Sequence, residues 1–226
     1  MTPRLVVFDL DGTLVDSRDD LATAANRMLA SYGLDPLDPA TVAGMVGEGA
    51  RLLVDRVLAA RGLPADRWPS DALTRYLAHY DDCLLDETRP YDGAVDMVQA
   101  LAEHHVLAVV TNKPSAPAVR LLQHFGFAPY LSAIVGGDGP FPRKPDPSSI
   151  LDLMRRFDAT GRACALVGDS WVDLQTARAA GAQAVCAAYG FGFQAMAAAD
   201  LAGVRLVSRP LALLEIFAGD ANAAEA

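Results

Sequence analysis

The sequence is short of three things, and each shortage excludes a class of protein. Positive charge is the first. Nineteen Lys and Arg stand against 28 Asp and Glu, a formal net charge of −9. A chain that tracks nucleic acid or lies on an anionic membrane needs a cationic face, so neither partner is expected. Long apolar runs are the second: none approaches the ~18 residues of a membrane span. The opening Met1-Thr2-Pro3-Arg4, followed by a short run ending at Phe8, lacks the long apolar region and small-residue cleavage site of a signal peptide. Cysteine is the third. Cys83, Cys164 and Cys186 show no paired metal-ligand spacing, and disulfides would leave one over. A reduced, cytoplasmic setting is the expectation. What is present fits a folded protein: 52% of residues are hydrophobic and 21% charged, which argues against disorder. A length of 226 residues suits one large domain or a core with an insert.

Short, continuous apolar runs recur along the chain. Leu5–Phe8 opens the series; Val106–Val110, Ala133–Val135, Ala163–Val167 and Ala182–Ala187 follow, with a weaker run at Val204–Val207. Runs of this kind, bounded by turn residues, read as strands buried on both faces of a parallel sheet. Helical patterns lie between most of them, at Ser115–Phe125, Ser148–Phe157 and Val172–Ala180. Strand alternating with helix predicts a doubly wound, mainly parallel α/β sheet of Rossmann-like form. One interval breaks the alternation. Residues 16–86 are helical throughout, with apolar positions at helical spacing over Leu21–Tyr32, Ala50–Ala60 and Ser70–Leu84, and with stops at Gly33, Gly62 and Pro64. They are expected to form an all-helical cap inserted into a core of residues 1–15 and 87–226, with Pro90 and Gly93 marking the return. Gly219–Ala226, small and acidic, are expected to fray.

The polar residues that follow the runs form a pattern. Phe8-Asp9-Leu10-Asp11-Gly12-Thr13 ends the first strand. In extended chain, residues two apart face the same side, about 6.6 Å apart. Asp9 and Asp11 thus address one point beyond the strand's carboxyl end, where open α/β sheets bind ligands. Thr111-Asn112-Lys113 follows the second run. Arg143-Lys144-Pro145-Asp146 follows the third and a glycine-rich loop, and Gly168-Asp169-Ser170 with Asp173 follows the fourth. Singly, each is an ordinary turn or helix cap; together they place four polar clusters on one sheet edge. Other chemistries find less support. Gly47-Glu48-Gly49-Ala50-Arg51-Leu52 fails a dinucleotide fingerprint at its sixth position, and Val172 replaces the second glycine of a nucleophile elbow. None of His79, His104, His105 and His124 follows a strand. Trp68 and Trp171 read as packing residues, with Trp171 close enough to wall the site.

These motifs, in this order and with a helical insert between the first and the rest, resemble the haloacid dehalogenase superfamily. Within it they are most similar to the aspartyl-phosphate phosphatases of the phosphoglycolate phosphatase type. The resemblance implies that Asp9 is the nucleophile that forms an aspartyl-phosphate, and that Asp11 protonates the leaving alkoxide and then activates water. It implies that Thr111 and Asn112 hold phosphoryl oxygens and that Lys144 balances charge on Asp9 and the transferring group. It implies a Mg²⁺ ion held by Asp9, the backbone carbonyl of Asp11, and Asp169, with Asp173 in support. The expected activity is hydrolysis of a small phosphorylated metabolite, foremost 2-phosphoglycolate, by a monomer or homodimer. A phosphosugar mutase of the same fold and an idle module that binds a phosphorylated ligand are the alternatives. Arg51, beside the Gly47-Glu48-Gly49 loop, is the expected reader of a substrate carboxylate.

Overall fold

Residues 3–218 are described by the computed structural model; the tail expected to fray, Gly219–Ala226, lies outside them. Leu5–Phe8 forms strand β1, with all four side chains fully buried. Val6 and Phe8 pack into one apolar cluster while Leu5 and Val7 pack into another. The period-2 alternation of a strand thus feeds a core on each face of the sheet. After it come β2 (Val15–Asp16), helices α1 (Arg18–Ala30), α2 (Pro39–Ala43), α3 (Ala50–Ala60) and α4 (Ala72–Cys83), then β3 (Arg89–Pro90) and α5 (Ala94–Ala102). The remainder alternates: β4 (Val106–Val110), α6 (Ser115–His124), β5 (Ala133–Val135), α7 (Ser148–Arg156), β6 (Cys164–Gly168), α8 (Trp171–Ala180), β7 (Gln183–Ala187), β8 (Arg205–Val207) and α9 (Ala212–Ala218).

Among the described residues the main sheet is six-stranded, in the order β5-β4-β1-β6-β7-β8, and every pairing is parallel. Phe8 sits opposite Val109 of β4 and Val167 of β6. The chain winds from β1 outward to β5 on one side and to β8 on the other. The crevice at the carboxyl end of β1 is therefore the switch point at which such sheets take ligands. Helices α5, α6 and α9 contribute to the cluster on the Val6–Phe8 face, and α7 and α8 to the other. Among the described residues no helix is long and apolar enough to cross a membrane.

The expected strands and helices are found within one to three residues, and each shift has a local cause. Ala163 closes a 3₁₀ turn and leaves Cys164 to open β6. Gly181, at φ 70°, ends α8 and delays β7 to Gln183. Helix α2 was not anticipated, although Asp38 caps it by accepting from Thr41 N–H at 2.9 Å and Pro39 opens it. Nor were β2 and β3, which pair antiparallel as a two-residue ribbon, Val15 with Pro90 and Asp16 with Arg89.

The four helices of the insert leave through β2 and return through β3, and a buried carboxylate secures the return. Asp20, on α1, accepts from Glu87 N–H at 3.0 Å, from Thr88 N–H at 2.8 Å and from Thr88 Oγ1 at 2.6 Å. Removing it strands a buried amide and a buried hydroxyl, at a cost of about 2–3 kcal/mol. Asp20→Ala is expected to lower the urea midpoint accordingly with little change in the m-value, and an unchanged midpoint would contradict this role.

Candidate active site

The register of β1, β4 and β6 brings the sequence motifs together. Asp9 is the first residue beyond β1, its N–H donating to Val167 O at 2.9 Å. Asp169 is the first beyond β6 and Thr111 the first beyond β4. Lys144 arrives from the loop after β5, and its Nζ lies 2.9 Å from Asp9 Oδ1 and 2.6 Å from Asp173 Oδ1. The other Asp173 oxygen accepts from Ser170 Oγ at 2.6 Å and Ser170 N–H at 3.1 Å, the capping box of α8. Asp173 is thus tied to Lys144 and to its own helix. Asp169 Oδ2 accepts from Gly192 N–H at 2.7 Å. Gly12, at φ 85°, turns the chain here, and a Cβ on it or on Gly190 would overlap the Asp169 side chain.

Asp9, Asp169 and Asp173 are buried, and each offers an oxygen within 4.8 Å of the others. Burial pushes the Asp9 carboxyl up to about 6, with Asp173 and Asp11 adding to the shift and Lys144 opposing it. Burial, Asp173 and Asp9 likewise raise Asp169 well above the ordinary carboxylate range. Burial works against the charge on Lys144, but Asp173 and Asp9 outweigh it and hold its pKa above the usual value. Fully ionised, three carboxylates against one ammonium would leave a buried excess of negative charge, which is why Asp9 and Asp169 shift toward their protonated forms. An all-oxygen donor set with that excess fits a hard divalent cation.

Two expectations need correction, those for Asn112 and Arg51. The acidic trio is Asp9, Asp169 and Asp173, and Asp11, expected to offer an ion only its backbone carbonyl, keeps its carboxylate outside it. Instead Asp11 accepts from Lys113 Nζ at 2.9 and 3.0 Å and from Ser17 Oγ at 2.6 Å. Asn112 was expected to hold a phosphoryl oxygen, but its side chain is used up within the chain. Its Nδ2 donates to Lys144 O and to Gly47 O, each at 2.9 Å, and its Oδ1 accepts from Lys144 N–H at 2.9 Å. Asn112 therefore brackets the Lys144 backbone and ties the tip of the insert to the core. Arg51 is half-exposed, 3.9 Å from Asp55 one helical turn on, and does not line the cavity.

That cavity, of about 50 Å³, is walled by Asp9, Asp11, Thr111, Lys113 and Asp169 from the core and by Gly47, Gly49, Leu53, Tyr76 and Tyr80 from the insert. Trp171 borders a neighbouring crevice with Glu48 and Arg56. Two residues that the sequence did not assign meet here. Lys113 Nζ donates to Tyr80 Oη at 2.5 Å and lies 4.5 Å from the centre of the Tyr80 ring. Lys113 was legible as a cation beside Thr111, whereas nothing local marks Tyr80.

Fold and site together define a doubly wound α/β enzyme whose reactive groups at the switch point are carboxylates backed by a lysine. The chain belongs to the haloacid dehalogenase-like hydrolase family, whose profile matches residues 6–187. It is 44% identical over 201 residues to the phosphoglycolate phosphatase of Rhodospirillum rubrum, covering 86% of this chain and 83% of that one. Its identity to the phosphoglycolate phosphatase of Cereibacter sphaeroides is 41% over 178 residues, covering 78% and 81%. A crystal structure of a predicted phosphoglycolate phosphatase from Haemophilus somnus superposes with a TM-score of 0.88 at 29% identity, covering 96% of this chain and 98% of that one.

The charge excess gives a prediction. Asp169→Asn keeps an acceptor for Gly192 N–H and removes one buried charge. In chelator it is expected to melt at or above wild type, by about 2–4 °C for each kcal/mol relieved. Added divalent cation should raise the melting temperature of wild type only. A variant that gains as much as wild type would place the ion elsewhere.

Proposed function

We propose that this chain is a Mg²⁺-dependent phosphatase that hydrolyses 2-phosphoglycolate through an aspartyl-phosphate on Asp9. The observation that carries the reading is the Asp9–Lys144–Asp173 chain of ion pairs at the switch point, with a second aspartate, Asp11, facing the same cavity. The names of the relatives supply the substrate. The small cavity agrees with a compact one.

Asp9, at the carboxyl end of a rigid central strand, attacks phosphorus, and the ester oxygen leaves as the Asp9–phosphoryl bond forms. Asp11 gives that oxygen a proton, so glycolate departs as the alcohol. Asp11 then takes a proton from water, which attacks phosphorus, breaks the acyl-phosphate bond and frees inorganic phosphate. Asp9 and Asp11 are thereby restored. Lys144 offsets negative charge on Asp9 and on the transferring group, and Asp173 fixes it in place. Thr111 offers its hydroxyl to a phosphoryl oxygen. Asp9, the Asp11 backbone carbonyl and Asp169 would hold a Mg²⁺ ion, which would supply positive charge between the anionic nucleophile and the anionic phosphoryl group. Residues 16–86 serve as a lid hinged at the β2–β3 ribbon, and the core of residues 1–15 and 87–226 holds the chemistry. Closure keeps bulk water from the acyl-phosphate. Asn112 with Gly47, Lys113 with Tyr80 and Arg120 with Asp81 are polar contacts that hold it shut. The three buried free thiols suit a reduced cytoplasm.

Asp9→Asn preserves size and removes the attacking charge. Phosphate release from 2-phosphoglycolate in Mg²⁺ is expected to fall by about 10³-fold or more, with the melting temperature kept or raised. A variant that retains more than a few per cent of wild-type kcat without deamidation would rule out this nucleophile.

A further inference from the structure

Lys113 is the only cation among the residues lining the cavity, where it faces the carboxylates of Asp9, Asp11 and Asp169. Lys144 is sequestered behind Asp9 with its ammonium on two aspartates. None of the arginines near the insert's tip lines the cavity: Arg56 pairs with Glu48, Arg143 Nε donates to Gly137 O at 2.8 Å, and Arg51 faces Asp55. A substrate with a second anionic group close to its phosphate would therefore find one compensating charge in this cavity. The Asn112 amide, which might have substituted as a neutral donor, is spent on Lys144 and Gly47.

Lys113 is also built to be held in place. Its side chain is 3% exposed, and it reaches Asp11 from the core side and Tyr80 Oη from the insert. The Tyr80 ring lies against the ammonium and stacks on Tyr76, with centroids 6.0 Å apart and planes 8° from parallel. The aromatic face and the phenol orient the ammonium without adding an anion to it, so Asp11 is its one carboxylate partner among the described residues. A carboxylate entering beside it would then make a charge-assisted hydrogen bond in a largely water-free site.

We propose that Lys113, oriented by Tyr80, is the specificity-determining residue that recognises a carboxylate on the substrate next to its phosphoester. The assignment rests on the phosphoglycolate reading above and takes the role first expected of Arg51. Engaging that carboxylate draws Nζ away from Asp11 and leaves the Asp11 oxygens free to turn toward the ester oxygen.

The test compares 2-phosphoglycolate with 2-hydroxyethyl phosphate, in which an alcohol replaces the carboxylate. For Lys113→Met, kcat/KM on phosphoglycolate is expected to fall by about 10- to 100-fold more than on the neutral ester, the range for a charged hydrogen bond. Lys113→Arg should restore part of the preference, and Arg51→Ala should leave it unchanged. Tyr80→Phe, which removes only a hydroxyl, should reduce the preference in the same direction and covers the case in which Lys113→Met does not fold. Equal losses on both esters would mean that Lys113 serves Asp11 alone and would overturn the proposal. So would a preference that survives in Lys113→Met, or, should that variant not fold, one unchanged in Tyr80→Phe. A wild-type enzyme that favours the neutral ester would instead sink the phosphoglycolate reading, and this inference with it.

Discussion

Three buried carboxylates held around a single ammonium are the constraint on which the rest of this molecule depends. Each of Asp9, Asp169 and Asp173 loses hydration that Lys144 only partly replaces. Breaking such a set by removing one partner costs about 3–5 kcal/mol in typical buried pairs, so the lysine has to be fixed as firmly as the acids. That explains several otherwise separate features. Asn112 clamps the Lys144 backbone from both sides, Ser170 anchors the second oxygen of Asp173, and glycines stand wherever a side chain would displace Asp169. Strand ends supply the rigidity. Three adjacent parallel strands end within one residue of one another, and Asp9, Thr111 and Asp169 are the first off each. The arrangement sacrifices stability for a buried site whose carboxyls outnumber its ammonium.

How much of this could be read from the chain depends on the range of the interaction. Strand β1 is four apolar residues, and Asp9 and Asp11 follow it by the two-residue period, so the fold class and the placing of Asp9 at the switch point were both legible. Thr111, Lys144 and Asp169 were legible for the same reason, since each follows a strand whose order the alternation predicts. Asn112 was given the wrong partner because its type says only that it forms hydrogen bonds, and its partners are 32 and 65 residues away. Arg51 was favoured for charge and for a glycine-rich neighbourhood, but its place on α3 turns it toward Asp55 and solvent. The Lys113–Asp11 pair spans 102 residues and the Lys113–Tyr80 contact joins core to insert, so neither leaves a local pattern.

The insert follows similar logic. Its apolar side chains continue the cluster that fills one face of the sheet, Met28, Leu53 and Tyr76 joining Val6 and Phe8. Its polar ties to the rest are few and specific. Asp20 secures the return strand, and Asn112 and Lys113 reach the insert from the same three-residue segment that begins with Thr111. Because Asn112 and Lys113 also line the cavity at the switch point, the position of the insert is coupled to that cavity.

The charge imbalance is tested most directly by calorimetric titration of Mg²⁺ into chelator-stripped protein near pH 6, repeated in buffers of different ionisation enthalpy. With Asp9 pushed up to about 6 and Asp169 also raised by burial, the pair carries protons near that pH that an incoming cation must displace. One ion is expected to bind per chain with net proton release, seen as a heat that varies with the buffer. Binding at unit stoichiometry with no proton release, or no binding at millimolar Mg²⁺, would contradict the account.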